Sequence, residues 1–183
     1  MSIEVSNCHP LKSMCLFLNA VGHHLNVRKF ISTTLTEELL PSSTRIVYKS
    51  GNEDIVREDA LPIIAYRIAG IELQPFQAAY GIGDTGNTAA EMSSAVHFTV
   101  STTNEALTSE LALEVGQFCM SMHKVLQSYE MFIAKVTISG TTRGKSGYYD
   151  ATVDVAASLG RPVWNNSNIN SILREIGMQL SLQ

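Results

Sequence analysis

Charge is scarce in this 183-residue chain: Asp, Glu, Lys and Arg make up only 16% of it, against roughly a quarter in an average soluble domain. Thirteen Lys and Arg face seventeen Asp and Glu, for a formal charge of -4. That balance argues against the broad basic face of a nucleic-acid binder, while leaving room for a local basic patch. A weakly charged surface repels its neighbours little, which suits a chain packed against copies or partners. Cysteine is also sparse. Cys8, Cys15 and Cys119 are too few and too irregular for a disulfide framework, and no Cys-x-x-Cys occurs, so buried thiols in a reducing compartment are expected. No segment reaches 18 uninterrupted apolar residues, so no membrane-spanning helix and no membrane partner are expected. Glu4 and Asn7 precede the short apolar run Met14 to Leu18, which does not match a secretory leader. The expectation is a cytoplasm-like space, unless a larger assembly carries the protein elsewhere.

Apolar residues are plentiful, at 45%. That suffices for one domain with a real core, while the length is too short for two full-sized ones. The clearest stretch runs from Ser109 to Ala157. Leu111, Val115, Phe118, Met122, Val125 and Leu126 recur at three- and four-residue spacing, one face of a helix of roughly four turns. From Phe132 the period changes to two, through Ala134, Val136 and Ile138. It resumes as Tyr149, Ala151, Val153 and Val155 after the Gly-rich basic run from Gly140 to Gly147. This is an antiparallel hairpin with a helix delivering the chain to it. A lone hairpin is marginal in water, so the helix is expected to cover its apolar face.

Upstream, Leu11, Met14, Cys15, Leu18 and Val21 predict a helix over Pro10 to Val21, interrupted at Gly22-His23-His24. A second helix is expected from Asn26 to Leu40, stopped by Pro41. Arg45 to Tyr48 and Leu61 to Ala69 read as strands, the second with Ile64, Tyr66 and Ile68 as its core face. Residues 70–93 show no period and read as a long loop, arm or lid. Ser94 to Thr102 alternates through Val96, Phe98 and Val100 as a third strand. Thr103-Asn104 and Thr108-Ser109 are the cap candidates for the long helix, with Glu110 and Glu114 early in it. A tail over 158–183 carries a short helix from Asn168 to Met178. The fold class expected is α+β: a mixed, largely antiparallel sheet packed by a long amphipathic helix, with an extra N-terminal helix over 1–25, a core over 26–157 and a short C-terminal helix.

Chemistry is harder to find. Gly81-Ile82-Gly83-Asp84-Thr85-Gly86 satisfies G-x-G-x-x-G, but no alternating strand precedes it, no helix of useful length follows, and Asp84 would repel phosphate. Thr142-Arg143-Gly144-Lys145-Ser146 has the ending of a phosphate loop without its first glycine, since position 139 is Ser. No cofactor is expected from either. Cys119 and His123 stand at i and i+4, where a thiol could meet an imidazole; the plainer reading is a small core residue and an imidazole at the stripe's edge. No H-E-x-x-H, metal-ligand set or G-x-S-x-G occurs. Glu53, Asp54, Glu58 and Asp59 look like a solvated acidic patch. What remains is the hairpin tip, where Arg143 and Lys145 sit between glycines with Tyr148 and Tyr149 behind them. It reads either as a solvated turn or as a contact with a neighbouring subunit or a polyanion. The loop residues Gly81, Gly83, Asp84 and Gly86 join it as candidate contacts.

Three features carry a resemblance: the helix ending at Leu40-Pro41, the strands Arg45 to Tyr48 and Leu61-Pro62-Ile63-Ile64-Ala65-Tyr66, and the helix-to-hairpin run ending Gly147-Tyr148-Tyr149-Asp150-Ala151-Thr152-Val153-Asp154-Val155. Over residues 26 to 157 this pattern resembles the tail-terminator and neck proteins of tailed bacteriophages. The resemblance implies a non-enzymatic virion protein that forms a homo-oligomeric ring, commonly a hexamer. Such a ring meets tail-tube or neck and connector proteins, sits near DNA in a channel, and assembles in the host cytoplasm. The alternatives are a cytoplasmic enzyme of unfamiliar type, sited at Gly81 to Gly86 or at Cys119 and His123, and another connector or nucleic-acid-associated protein acting through Arg143 and Lys145.

Overall fold

Segments of period two and segments of period 3.6 form separate layers. The computed structural model describes residues 10–27, 46–51, 61–75, 87–144, 147–159 and 163–165. The helices are α1 (Pro10–Val27), α2 (Glu105–Ser121) and the short α3 (His123–Gln127). The strands are β1 (Val47–Ser50), β2 (Ile63–Ile68), β3 (Glu72–Pro75), β4 (Asn87–Thr102), β5 (Met131–Ile138), β6 (Thr142–Arg143), β7 (Tyr149–Leu159) and β8 (Val163–Asn165). The main path of the sheet is β1-β2-β4-β7-β5, with β3 and β8 pairing β4 and β6 pairing β7. Among the described residues only β1 and β2 run parallel, Val47 opposite Ile63. The chain is therefore α+β, with a mixed, largely antiparallel sheet.

One face of this sheet is apolar because alternate residues of adjacent strands fall in register. Val96, Phe98 and Val100 of β4 lie opposite Val155, Val153 and Ala151 of β7. These join Met14, Phe17, Leu18, Val21 and Leu25 of α1, and Leu107, Leu111, Ala112, Val115 and Cys119 of α2, in one buried cluster. Phe17 meets Phe98 edge to face, ring centroids 6.2 Å apart, a preferred aromatic geometry. Helix α2 begins at the Asn104 cap, whose Oδ1 accepts from Ala106 N at 2.9 Å and Leu107 N at 3.2 Å, satisfying two of the free amides of the first turn. Of its expected face, Leu111, Val115 and Leu126 are buried, whereas Val125 is 59% exposed. The helix breaks at Met122, between α2 and α3, and the stripe rotates there.

Five expectations change. Helix α1 does not stop at Gly22-His23-His24 but continues to Val27; Gly22 serves close packing, since a Cβ there would lie 2.7 Å from the Tyr48 ring. The reading of 70–93 as a loop fails at both ends, because β3 and the first residues of β4 pair in register, Glu72 with Ser93 and Leu73 with Met92. The tail reading fails at its start, where β7 runs to Leu159 and β8 pairs β4. The expected core face of β5 is out of phase at its beginning: Met131 and Ile133 are buried while Phe132 is 44% exposed. A bulge between Ile133 and Lys135 resets the alternation, because one extra residue flips every side chain after it. On β2, Ile63, Ile64 and Ala65 are all buried and Ile68 is 38% exposed. The helices proposed over Asn26 to Leu40 beyond Val27 and over Asn168 to Met178 lie outside the described residues.

Candidate assembly surface

The hairpin is rooted on the start of α2. The Thr108 hydroxyl reaches the Tyr149 carbonyl oxygen at 3.3 Å, and Ser109 Oγ lies 2.6 Å from Thr141 Oγ1. These local links follow from sequence order, since α2, β5 and β7 are consecutive long elements and the hairpin must fold back over the helix that precedes it. A shallow open depression of about 560 Å³ lies at this junction, lined by Thr103, Asn104, Glu105, Ala106, Ser109 and Tyr149. Above the junction, the turn is held by Gly144 N donating to the Tyr148 carbonyl at 2.8 Å and Gly147 N to the Gly144 carbonyl at 3.1 Å. Arg143 is exposed and its guanidinium carbon lies 5.9 Å from the Tyr149 ring centroid, within the range of a cation–π contact. At an exposed site such a contact is worth about 0.5–1 kcal/mol, enough to bias the guanidinium toward the ring.

The structure separates the two tyrosines that the sequence placed together. Tyr148 is buried at 9% exposure, so it does not offer its ring to a partner, whereas Tyr149 is half-buried and lines the depression. Tyr148 precedes β7, which begins at Tyr149, so strand alternation does not set the difference between the two rings. Lys145, Gly81, Gly83, Asp84 and Gly86 lie outside the described residues, as do Glu53, Asp54, Glu58 and Asp59.

Cys119 and His123 do not form a thiol–imidazole pair. No hydrogen bond joins them: His123 Nδ1 is buried with no partner, and its Nε2 lies 2.9 Å from Gln127 Nε2. Cys119 is fully buried, and burial pushes its thiol up to about 12. A nucleophile needs the thiolate, so this residue is a small apolar core group at neutral pH. Cys15, expected to be buried, is exposed. Maleimide labelling of the folded protein at pH 8, followed by peptide mapping, should therefore modify Cys15 and leave Cys119 untouched; equal modification of both would contradict the burial.

Sequence reading missed the polar face of the sheet. His97 Nδ1 and Asp154 Oδ1 are 2.6 Å apart on neighbouring central strands, with both side chains about half exposed. Ser101 Oγ donates to Asp150 Oδ1 at 2.6 Å. Arg67 stands opposite His97 on β2, and Thr137 opposite Asp154 on β5, so a polar row crosses four strands. The signal was present as the residues alternating with Val96, Phe98 and Val100, but the pairing of His97 with Asp154 needs the register of two strands 57 residues apart in sequence. An exposed pair of this kind contributes roughly 0–1 kcal/mol to stability.

Among the described residues, no group of three or more His, Cys, Asp or Glu could hold a metal ion, and no helix is long and apolar enough to cross a membrane. The polar groups at the hairpin root, Asn104, Thr108 and Ser109, already bond to the backbone or to neighbouring hydroxyls. What this arrangement offers is a shaped surface with one positioned cation. Neither a protein-family model nor a curated protein matches this chain.

Proposed function

We propose that this protein is a non-enzymatic structural subunit that assembles with copies of itself into a ring at the tail end or head–tail junction of a tailed bacteriophage. The observation that carries the self-assembly part is a sheet whose outer strands among the described residues keep large apolar side chains exposed. Leu73 on β3 is 58% exposed, and Phe132 and Ile138 on β5 are 44% and 38% exposed. A sheet edge is a template for another strand, and contacts between two different patches on identical chains build rings when the rotation closes. The virion setting rests on the resemblance in sequence pattern. In this reading the hairpin tip, where Arg143 lies over Tyr149 and Lys145 follows two residues on in sequence, is the contact with the next component of the tail or neck.

Native mass spectrometry and negative-stain microscopy of the full chain at high concentration should show a closed homo-oligomer, and the protein should be found in purified particles of the virus that encodes it. A strictly monomeric protein that is missing from such particles would overturn the proposal.

A further inference from the structure

Resting on that self-assembly reading, we infer that the contact between copies is a continuation of the sheet, in which β3 of one copy pairs with the outer edge of β5 of the next. Among the described residues each of these strands has a pairing partner on one side only: β3 pairs β4, and β5 pairs β7. They lie on opposite flanks of the sheet, since β3 is on the β2 side of β4 and β5 ends the path beyond β7. The two edges differ, so the contact is head-to-tail.

The edges match face by face. Glu72 is in register with Ser93, and Lys135 with Ala156, whose own partner is Ala95. Both charged residues therefore stand on the polar face of the sheet, where His97 and Asp154 lie. Leu73 is in register with Met92, while Val136 and Ile138 are in register with Val155 and Val153. These apolar residues stand on the face that carries the helices. When a strand is added to a sheet its faces remain continuous. Joining β3 to β5 therefore brings an acid toward a base on one face and apolar side chains together on the other. Glu72 and Lys135 are exposed and make no ion pair among the described residues.

The lengths also agree. The bulge after Ile133 interrupts the edge of β5 and leaves 135–138 as its regular stretch, four residues against the four of Glu72–Pro75. Pro75 lacks an amide hydrogen and so ends the stretch of β3 able to donate. An edge lysine and a bulge are also the devices by which strands avoid indiscriminate pairing. Here they restrict β5 to a short partner that brings a carboxylate to the right face, which favours one contact over open-ended aggregation.

The test is charge exchange across the contact. Glu72→Lys and Lys135→Glu are each made in the full chain. Circular dichroism should be unchanged, as should thermal melting at concentrations where the parent is dissociated, because both side chains are exposed in the single chain; where the parent is assembled, loss of the contact lowers the apparent melting temperature. Analytical ultracentrifugation should show each variant alone self-associating about tenfold more weakly than the parent. An equimolar mixture should assemble again, because each E72K copy then presents two cationic edges and each K135E copy two acidic ones. The double variant should likewise assemble. If the parent assembles and both single variants assemble equally well, the edge contact is wrong while the self-assembly reading stands. If the single variants fail but neither the mixture nor the double variant recovers, the pairing of Glu72 with Lys135 is wrong. A monomeric parent would sink both.

Discussion

Glu114→Ala is expected to lower the unfolding free energy by about 3 kcal/mol, because it leaves a buried histidine without its carboxylate. Glu114 Oε1 lies 3.3 Å from His24 Nε2, with side-chain exposures of 2% and 6%, and the pair ties α1 to α2. The imidazole stacks on Phe118, with ring centroids 3.9 Å apart and planes 9° from parallel, so the ring is held in place and cannot turn toward water when its partner is removed. For a chain of this size the loss corresponds to a fall in melting temperature of roughly 6–12 °C. Glu114→Gln retains an acceptor oxygen and nearly the same volume, and should cost about 1 kcal/mol. Urea unfolding of the two variants separates the carboxylate's charge, lost in both, from its bulk and acceptor oxygen, lost only in Glu114→Ala. If Ala and Gln destabilise equally, the carboxylate charge is the part that matters. If neither does, the helix contact does not depend on the pair.

Gly22→Val should destabilise by about 2–3 kcal/mol through overpacking. A Cβ at Gly22 would lie 2.7 Å and 2.8 Å from two ring atoms of Tyr48, and a flat ring cannot yield as the end of a flexible chain would. The Tyr48 hydroxyl donates to the Leu18 carbonyl at 2.9 Å and the ring stacks on Tyr66 at 4.9 Å, so displacing it disturbs both contacts. Burial, with Tyr66 beside it, raises the Tyr48 hydroxyl far above its usual range. It therefore stays protonated and remains a donor. Gly22→Ala should cost less, since alanine gains about 1 kcal/mol of helix propensity over glycine. In a Tyr48→Ala background, Gly22→Val should cost little, because the ring it collides with is gone. A double-mutant cycle in urea measures that coupling, and an unchanged cost for Gly22→Val in that background would show that the ring is not the obstacle.

Gly22 also shows where sequence reading ends. In one dimension Gly22-His23-His24 looks like a break, since glycine disfavours helix and the apolar stripe pauses. In three dimensions the glycine is the space into which Tyr48 fits, and His24 reaches Glu114, 90 residues away in sequence. The sequence places Glu114 early in the helix, where the dipole would favour a carboxylate, but α2 begins at Glu105 and Glu114 lies past its middle. Only the packing of α1 on α2 buries it. The candidate surface was legible in the same uneven way. The hairpin and the position of Arg143 followed from the alternation of Val153 and Val155 and the glycines before them. The burial of Tyr148, the bulge after Ile133 and the pairing of β3 with β4 did not, because the bulge and the pairing depend on a register set by another strand and the burial of Tyr148 on what packs around it.

The sequence by itself determined the α+β class, the helix-to-hairpin unit and the apolar faces of β4 and β7, because those depend on local period, and period fixes which side chains share a face. Tertiary structure alone decided that α1 passes through Gly22, that Cys119 is an inert thiol and His97 pairs with Asp154, and that Glu72 and Lys135 stand on one polar face at opposite flanks of the sheet. Burial and strand register are properties of contacts between segments far apart in the chain, and no local pattern encodes them.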